Sequence, residues 1–410
     1  MKERVAITGI GAVSPCGMKK ETVWANLKKG KSCIDKITRF DASLYSSNMA
    51  GHVHDMDHYT HLSSRLIKKI DLFSHMALIA SEQALKDAVL ETDNLDKNRV
   101  GVFMGNALGG WLFAETELRD LYIEGREGVS PYMATAWFPA APQGQVTIYY
   151  GFKGYSKTLV VDKASSALAL WYAAKTVAQD KNDFVLAGGM EAPITPYALL
   201  CANTCGNLSK NNLNYKKAYK PYDLYRDGFV LAEGSGMVLM EKEQTARKRG
   251  AHVYGFLAGI GFTSDGRHYA RYDADCSNLA HAIEDCLRDA GWDKKDVDYI
   301  CLDGEATVLG DYLETEAIKK VFGEKARDIS LSAPKSMFGN LLGAQTAMDL
   351  IMTLLMVKEK TVLPTINYEV SDSLCDLDYT PNKAVEREIN KALIIARGRG
   401  GMNIILAVEK

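Results

Sequence analysis

Three short runs carry residue types able to do chemistry where a strand gives way to a helix or loop: Val161-Asp162-Lys163-Ala164-Ser165-Ser166-Ala167, Leu302 to Asp311, and Lys335 to Ala344. In α/β chains such junctions gather side chains and backbone N–H groups on one crevice. The first offers Ser165, the second Asp303, the third Lys335 and Asn340. A hydroxyl is a poor nucleophile without an adjacent base, so Ser165 reads first as a helix N-cap accepting a backbone N–H. Lys335 could in principle complete a Ser–Lys dyad with it. An activated lysine needs desolvation that keeps it neutral, and the favoured reading is an ion pair between Lys335 and Asp349 on the following helix.

The elements that must position these runs recur in matched order. A helical period from Phe73 to Leu90 precedes a short apolar strand, Arg99 to Met104. Leu279, Ala282, Ile283, Cys286, Leu287 and Ala290 repeat that period before Val297 to Leu302, and Ala84-Leu85-Lys86-Asp87-Ala88 rhymes with Cys286-Leu287-Arg288-Asp289-Ala290. A second rhyme follows. Thr158 to Asp162, a helix from about Ser165 to Gln179 and the strand Phe184 to Ala187 match Ile329 to Ala333, a helix from about Asn340 to Lys358 and Ala392 to Ala396. Each series opens on a strand, Arg4 to Ile10 and Val253 to Phe262, so the chain divides into halves 1–250 and 251–410. The first-half insertions, 14–72 and 105–157, are expected to cover the strand ends.

Composition narrows the function. Among 410 residues, Lys+Arg 49 stand against Asp+Glu 51, which gives no basic excess for phosphate binding and excludes a nucleic-acid binder on bulk electrostatics. A 47% hydrophobic content supports a large core. No apolar run reaches ~18 residues, because Asp349 interrupts Leu341 to Val357, so no membrane span is expected. The N-terminal residues lack the pattern of a signal peptide, and a cytoplasmic location is expected. Eight cysteines, at 16, 33, 201, 205, 276, 286, 301 and 375, include no Cys-x-x-Cys pair. Neither a metal site nor a disulfide framework is expected, and the thiols read as reduced and mostly buried.

Spread-out motifs then point to a family. Pro221-Tyr222-Asp223 is followed by Arg226-Asp227-Gly228-Phe229-Val230 and Glu233-Gly234-Ser235-Gly236. Leu309-Gly310-Asp311 with Glu314, Lys335-Ser336 before Gly339, and Gly400-Gly401 with Asn403 complete the set. On these residues the chain resembles the β-ketoacyl synthase family of the thiolase superfamily, from Val5-Ala6-Ile7-Thr8-Gly9 to the last strand. The resemblance implies a thiolase-like, duplicated, five-layered α/β/α/β/α fold. It also implies an acyl chain presented on the phosphopantetheine of an acyl carrier protein, with no covalently bound cofactor. Active members join that chain to a malonyl unit by decarboxylative condensation, using a cysteine at a helix start and two histidines.

Carried onto this chain, the cysteine position is Ser165 and the histidine positions are Asp303 and Asn340. Losing a general acid/base typically costs ~10²–10⁴ in rate and an oxyanion donor ~10²–10³, so essentially no condensation is expected. Arg399 stands in Gly398-Arg399-Gly400-Gly401, where active relatives usually carry a phenylalanine gate, and it either pairs with Asp303 or reaches solvent. Within the family the chain is similar to a chain-length factor of type II polyketide synthases, the disabled subunit that pairs with an active ketosynthase and shapes the tunnel for the growing chain. Many chain-length factors carry glutamine at the cysteine position, and Ser165 departs from that.

The resemblance implies pairing with the ketosynthase through the strand at Lys157 to Asp162. It offers Leu108, Tyr132, Met133, Trp137, Phe138 and Ala202 as tunnel lining, although core packing explains such residues equally well. Arg65, Lys68 and Lys69 match the region where relatives meet the carrier protein, and a solvated helix face is the plainer reading of them. Two other functions stay open. One is a serine acyltransferase or thioesterase using Ser165, the other a homodimeric protein that holds carrier-bound cargo without chemistry.

Overall fold

The computed structural model describes residues 3–54, 56, 62–268 and 272–410. Its main sheet contains β1 (Val5–Val13), β2 (Val100–Gly105), β3 (Lys157–Leu159), β4 (Phe184–Glu191), β5 (Gly234–Lys242), β6 (Gly255–Ser264), β7 (Tyr299–Cys301), β8 (Ser330–Ser332), β9 (Lys391–Gly398) and β10 (Met402–Glu409). The strand order is β8-β7-β9-β10-β6-β1-β5-β4-β2-β3. This is one five-strand pattern written twice. In each half the opening strand pairs antiparallel with the fifth, the fifth antiparallel with the fourth, and the remaining neighbours run parallel. The halves meet where Ala6 and Ile7 of β1 pair with Phe256 and Gly255 of β6.

The principal helices are α1 (Leu72–Asp87), α2 (Trp111–Glu124), α3 (Ser165–Ala178), α4 (Pro196–Thr204), α5 (Ser277–Ala290), α6 (Val308–Phe322) and α7 (Gln345–Glu359). Glycine spacing sets the outer contact of both halves. On β1, a methyl on Gly9 or Gly11 would fall into the carbonyl of Ala84 or Ala80 on α1. On β6, Gly259 and Gly261 meet Ala290 and Ala282 of α5 in the same way. The residue between each glycine pair donates its N–H to an aspartate on the facing helix: Ile10 to Asp87 at 2.9 Å and Ile260 to Asp289 at 3.0 Å. The rhyming segments therefore occupy equivalent positions, because only a Gly-x-Gly strand lets the helix come so close.

The inner layer is α3 and α7, which touch each other and strands of both halves. Every residue of α7 from Gln345 to Val357 is buried, as a helix covered on all sides must be. With α1 and α5 outside, this is the α/β/α/β/α duplication expected from the resemblance. Strands β5 and β10 were not read from the sequence: Gly234 and Gly236 interrupt the first, and the continuous apolar run Ile404 to Val408 gives the second no alternation.

One expectation fails in the covalent structure. Cys16 and Cys33 form a disulfide with Cα atoms 5.4 Å apart, whereas the sequence reading kept all eight thiols reduced. The helix Lys20–Lys28 folds the intervening chain back on itself, a closure that no short cysteine motif announces. The other six cysteines are free, with Cys201 and Cys205 exposed. Among the described residues no helix is long and apolar enough to cross a membrane.

Candidate functional site

The motifs that carry the family resemblance are mostly framework. Asp311 and Glu314, on the first turns of α6, hold the loop after β7 by its backbone. Asp303 N–H and Gly304 N–H donate to Glu314 at 2.8 and 3.0 Å, and Ala306 N–H donates to Asp311 at 2.9 Å. Tyr222 closes the frame by donating its N–H to Asp311 and its hydroxyl to Glu314, both at 2.7 Å. Arg226 neutralises Asp372 at 2.7 Å behind them. Burial pushes the Asp311 carboxyl up to about 8, although Arg226 works against it. The 303–307 loop is thus rigid, with Gly304 and Ala306 held in the left-handed region.

Ser165 begins α3, and Ala164, not Ser165, is the residue before the first turn. The expected N-cap is therefore not formed. Asp162, at φ 47°, turns the chain so that the Ser165 hydroxyl points back into its own loop. It donates to the Asp162 carbonyl at 2.7 Å and accepts from Val161 N–H at 2.8 Å. The side chain is fully buried, and its neighbour Ser166 accepts from Ala347 N–H of α7 at 3.1 Å.

Two residues before Ser165, the buried Lys163 inserts its ammonium between Asp303 at 3.4 Å and Glu305 at 3.2 Å. Tyr272 donates to the far oxygen of Glu305 at 2.7 Å and Thr307 donates to it at 3.0 Å. Burial opposes the charge on Lys163, yet Asp303 and Glu305 hold its pKa well above the ordinary lysine range. Burial would likewise raise Glu305, but Lys163, Tyr272 and Arg397 outweigh it and hold the carboxyl down to about 2. Burying charge is tolerable only when it is paired and hydrogen-bonded, and this cluster meets both conditions.

Asn340 precedes α7 instead of starting it. Leu341 and the 3-10 turn Leu342–Ala344 intervene, since Asn340 N–H and C=O are already bound to Val230 and Ala232. Its Oδ1 accepts from Leu342 N–H at 2.9 Å, and its amide lies beside the buried Tyr219 hydroxyl, which donates to Gly304 O at 3.0 Å. Lys335 and Asp349 pair at 3.0 Å with both side chains buried, as the favoured reading expected. Burial opposes the charge of Lys335, and Asp349 with Asp303 nonetheless raises its pKa, which leaves it no role as a neutral base for Ser165.

A cavity of about 310 Å³ opens beside this cluster, walled by Leu108, Trp111, Ala198, Ala202, Phe229 and Leu231, with Lys163 and Glu305 also lining it. Ser165, Asp303 and Asn340 are not among its walls. Of the six tunnel candidates, Leu108 and Ala202 line the cavity, while Tyr132, Met133, Trp137 and Phe138 do not. Tyr132 and Phe138 are exposed, and Lys69 sits over the Tyr132 ring at 4.6 Å. Arg65 lies on the short helix Ser64–Ile67, and Lys68 ends it. Arg399 does not pair with Asp303: its N–H donates to Asp162 at 2.7 Å and its exposed side chain borders the cavity. The buried arginine near Asp303 is Arg397, two residues earlier, whose guanidinium covers the Tyr272 ring at 3.9 Å and donates to Gly310 O at 3.0 Å.

The sequence reading gave no role to Lys163, Glu305, Arg397 or Glu191. Lys163 lies two residues before Ser165 and Glu305 two after Asp303, so a pair of opposite charges at mirrored offsets was the available signal. Glu191, at the end of β4, is fully buried and accepts from the N–H groups of Ala107, Leu108 and Gly343 at 2.7, 3.1 and 3.0 Å. It ties the cavity wall at Leu108 to the turn ahead of α7. Burial pushes its carboxyl up to about 8.

Comparison with known proteins agrees with this geometry. Residues 2–246 match the Beta-ketoacyl synthase, N-terminal domain, and residues 254–369 match the Beta-ketoacyl synthase, C-terminal domain. The chain is similar to 3-oxoacyl-[acyl-carrier-protein] synthase 2 of Staphylococcus aureus (strain N315), at 36% identity over 408 residues, spanning 100% of this chain and 98% of the relative. The namesake from Coxiella burnetii (strain RSA 493 / Nine Mile phase I) is 36% identical over 409 residues, spanning 100% and 99%.

Among solved structures, a type II polyketide synthase acyl-carrier protein in complex with its ketosynthase bound to the hexaketide superimposes with a TM-score of 0.92, 30% identity and 99% coverage of both chains. The ishigamide ketosynthase/chain length factor gives 0.92 at 26% identity, covering 100% of this chain and 99% of the other. A beta-ketoacyl synthase from Burkholderia phymatum STM815 gives 0.93 at 27%, with the same coverage. With both domains matched and relatives aligned from end to end, the chain belongs to the β-ketoacyl synthase family.

Proposed function

We propose that this protein is a chain-length factor, a catalytically disabled subunit that pairs with an active ketosynthase and shapes the space for a chain growing on acyl carrier protein. The observation that carries the reading is the Lys163–Asp303–Glu305 cluster. It puts a paired, buried set of charges at the first histidine position and two residues before Ser165, and Lys163 and Glu305 line the cavity while Ser165 does not. Substituting the reactive residues alone would leave a vacant site. Here Lys163 and Glu305 fill it with paired charge, so the site reads as structure.

Two further features support a partner subunit. Among the described residues strand β3 pairs only with β2 and stands at the edge of the sheet. Near it in sequence Tyr155, Val160 and Tyr172 are exposed, and α2 exposes Tyr122 and Ile123. Unpaired edges and apolar patches on one face are what a subunit interface covers. The serine acyltransferase and thioesterase readings gain nothing from the geometry, because the Ser165 hydroxyl is committed to backbone groups and has no base.

Co-expression with a ketosynthase that retains its cysteine and two histidines tests the reading. A stable one-to-one complex is expected, and bulky replacements at the cavity wall, Ala202→Phe or Leu108→Trp, should shorten its product. Elongation of an acyl thioester with malonyl units by the purified chain alone would overturn it.

A further inference from the structure

The Cys16–Cys33 disulfide lies outside both the family motifs and the cavity, and its two ends are unequally placed. Cys16 is 3% exposed and packed in the main core, whereas Cys33 is half-buried. Cys16 is also anchored through its backbone. Its N–H donates to the Ser14 hydroxyl at 3.2 Å, directly after β1, and its carbonyl accepts from the Asn26 amide at 2.7 Å. From Cys33 two routes lead to the cavity wall. Its N–H donates to the Met337 carbonyl at 2.7 Å, and from Met337 the chain passes through Asn340, bonded to Val230 and Ala232, to Leu342 of the wall. The second route is the ribbon that pairs Ile34–Lys36 with Met49–Gly51, where Gly51 N–H donates to the carbonyl of the wall residue Leu231 at 2.8 Å. The two routes pack together at Gly51: a methyl there would fall onto the Phe338 carbonyl, the Pro15 ring and Ala232. Pro15 adjoins Cys16, so the disulfide closes a ring of contacts behind Leu231 and Leu342.

We propose that this disulfide is a site of reversible reduction, opened by a dithiol at Cys33, and that opening it loosens the cavity wall. Thiol–disulfide exchange proceeds at the sulfur that a thiolate can reach, and of the two residues Cys33 is the accessible one. The incoming sulfur bonds to Cys33 Sγ and the bond between Cys16 and Cys33 breaks, with Cys16 as the leaving thiolate. The second thiol of the reductant then displaces Cys33 from the mixed disulfide. The dithiol is oxidised to its own disulfide, the protein disulfide is reduced, and the two thiol protons of the reductant end on Cys16 and Cys33. Cys16 and Cys33 are 17 residues apart, and cutting the link returns to that segment the freedom the cross-link removed. With only hydrogen bonds left to hold Cys33 against Met337, opening of residues 14–34 should spread to 334–342. The exchange needs no acyl ligand; only its bearing on chain length rests on the reading of the cavity proposed above.

The test is thiol counting and hydrogen exchange by mass spectrometry on the full chain alone, before and after dithiothreitol. Before reduction, iodoacetamide in urea should label the six free cysteines and leave a cross-linked Cys16–Cys33 peptide; after reduction it should label all eight. In the reduced native chain Cys33 should alkylate roughly tenfold faster than Cys16. Exchange should rise about fivefold in peptides from 14–34 and from 334–342 and stay unchanged in α5. The double variant Cys16→Ala, Cys33→Ala should exchange at the faster rate from the outset and ignore dithiothreitol, whereas Cys201→Ser with Cys205→Ser should respond as the unaltered chain does. Eight labelled cysteines before reduction, faster labelling of Cys16, or a rise confined to 14–34 would each overturn the proposal. If the double variant does not fold, the thiol count and exchange of the unaltered chain decide. No ketosynthase or acyl ligand is present, so failure here leaves the chain-length reading standing, and failure of the co-expression test leaves the redox site standing.

Discussion

Two buried lysines stand near the same site, and they do different things. Lys335 meets a single carboxylate, Asp349, inside the core and does not line the cavity. Lys163 meets two carboxylates from the opposite half and forms part of the cavity wall. The first pair holds the inner layer together, between the turn after β8 and the helix α7. The second balances charge at the cavity wall and joins the two halves. The difference teaches that a buried lysine can serve the packing of one layer or the lining of a cavity, according to which carboxylates it meets.

The largest expected effect is at Lys335. Lys335→Ala leaves the carboxylate of Asp349 buried without its cation, and breaking such a pair costs roughly 3–5 kcal/mol. Urea unfolding monitored by tryptophan fluorescence measures it. A loss no greater than that of Lys163→Ala would erase the distinction drawn between the two lysines.

Acid should act next, through the Lys163 cluster. Glu305 is held at about 2 against an ordinary 4.5, so its folded pKa is depressed. The stability it contributes is fully present above pH ~4.5 and is lost as pH falls towards 2, amounting to about 3 kcal/mol at ~1.4 kcal/mol per unit. Glu305→Gln should flatten the urea-midpoint profile in that window, and an unchanged slope would show the cluster to be uncharged. Glu191 has the opposite sign. Burial raises it to about 8, so its contribution falls as pH climbs from 4.5 towards 8, and Glu191→Gln should flatten the profile on that side.

Lys163→Ala comes third, at about 1–3 kcal/mol, because water entering from the cavity can solvate the carboxylates left behind. Its lower cost relative to Lys335→Ala is what sharpens the comparison. Smallest of all is restoration of the lost identities. The triple change Ser165→Cys, Asp303→His and Asn340→His, with Lys163 and Glu305 retained, should leave elongation by the isolated chain at background in a radiolabelled malonyl assay. Appreciable condensation would mean that the cluster does not block the site.

The duplication was legible because its signals are local. The helical period before a short strand recurs in each half, and Ala84-Leu85-Lys86-Asp87-Ala88 rhymes with Cys286-Leu287-Arg288-Asp289-Ala290, so the aspartates at 87 and 289 recur with it. The pairing of Lys335 with Asp349 was legible for the same reason, since the turn of chain between them is short. Asn340 was misplaced onto the helix because periodicity cannot show that its backbone is already bonded to Val230 and Ala232. Ser165 was misread as a cap because the turn at Asp162 directs its hydroxyl backwards. Tyr132, Met133, Trp137 and Phe138 have the composition of a lining but do not line the cavity, Tyr132 and Phe138 being exposed.

By itself, the sequence determined the repeated α/β architecture and the presence of Ser165, Asp303 and Asn340 at the strand-to-helix junctions, since both follow from residue identity at short range. Only the tertiary structure decided what those junctions meet. Lys163 finds Asp303 and Glu305 across 140 and 142 residues, and Cys16 finds Cys33 around a folded helix. The first contact depends on how the two halves stack and the second on how the helix Lys20–Lys28 turns the chain back, and no local pattern encodes either.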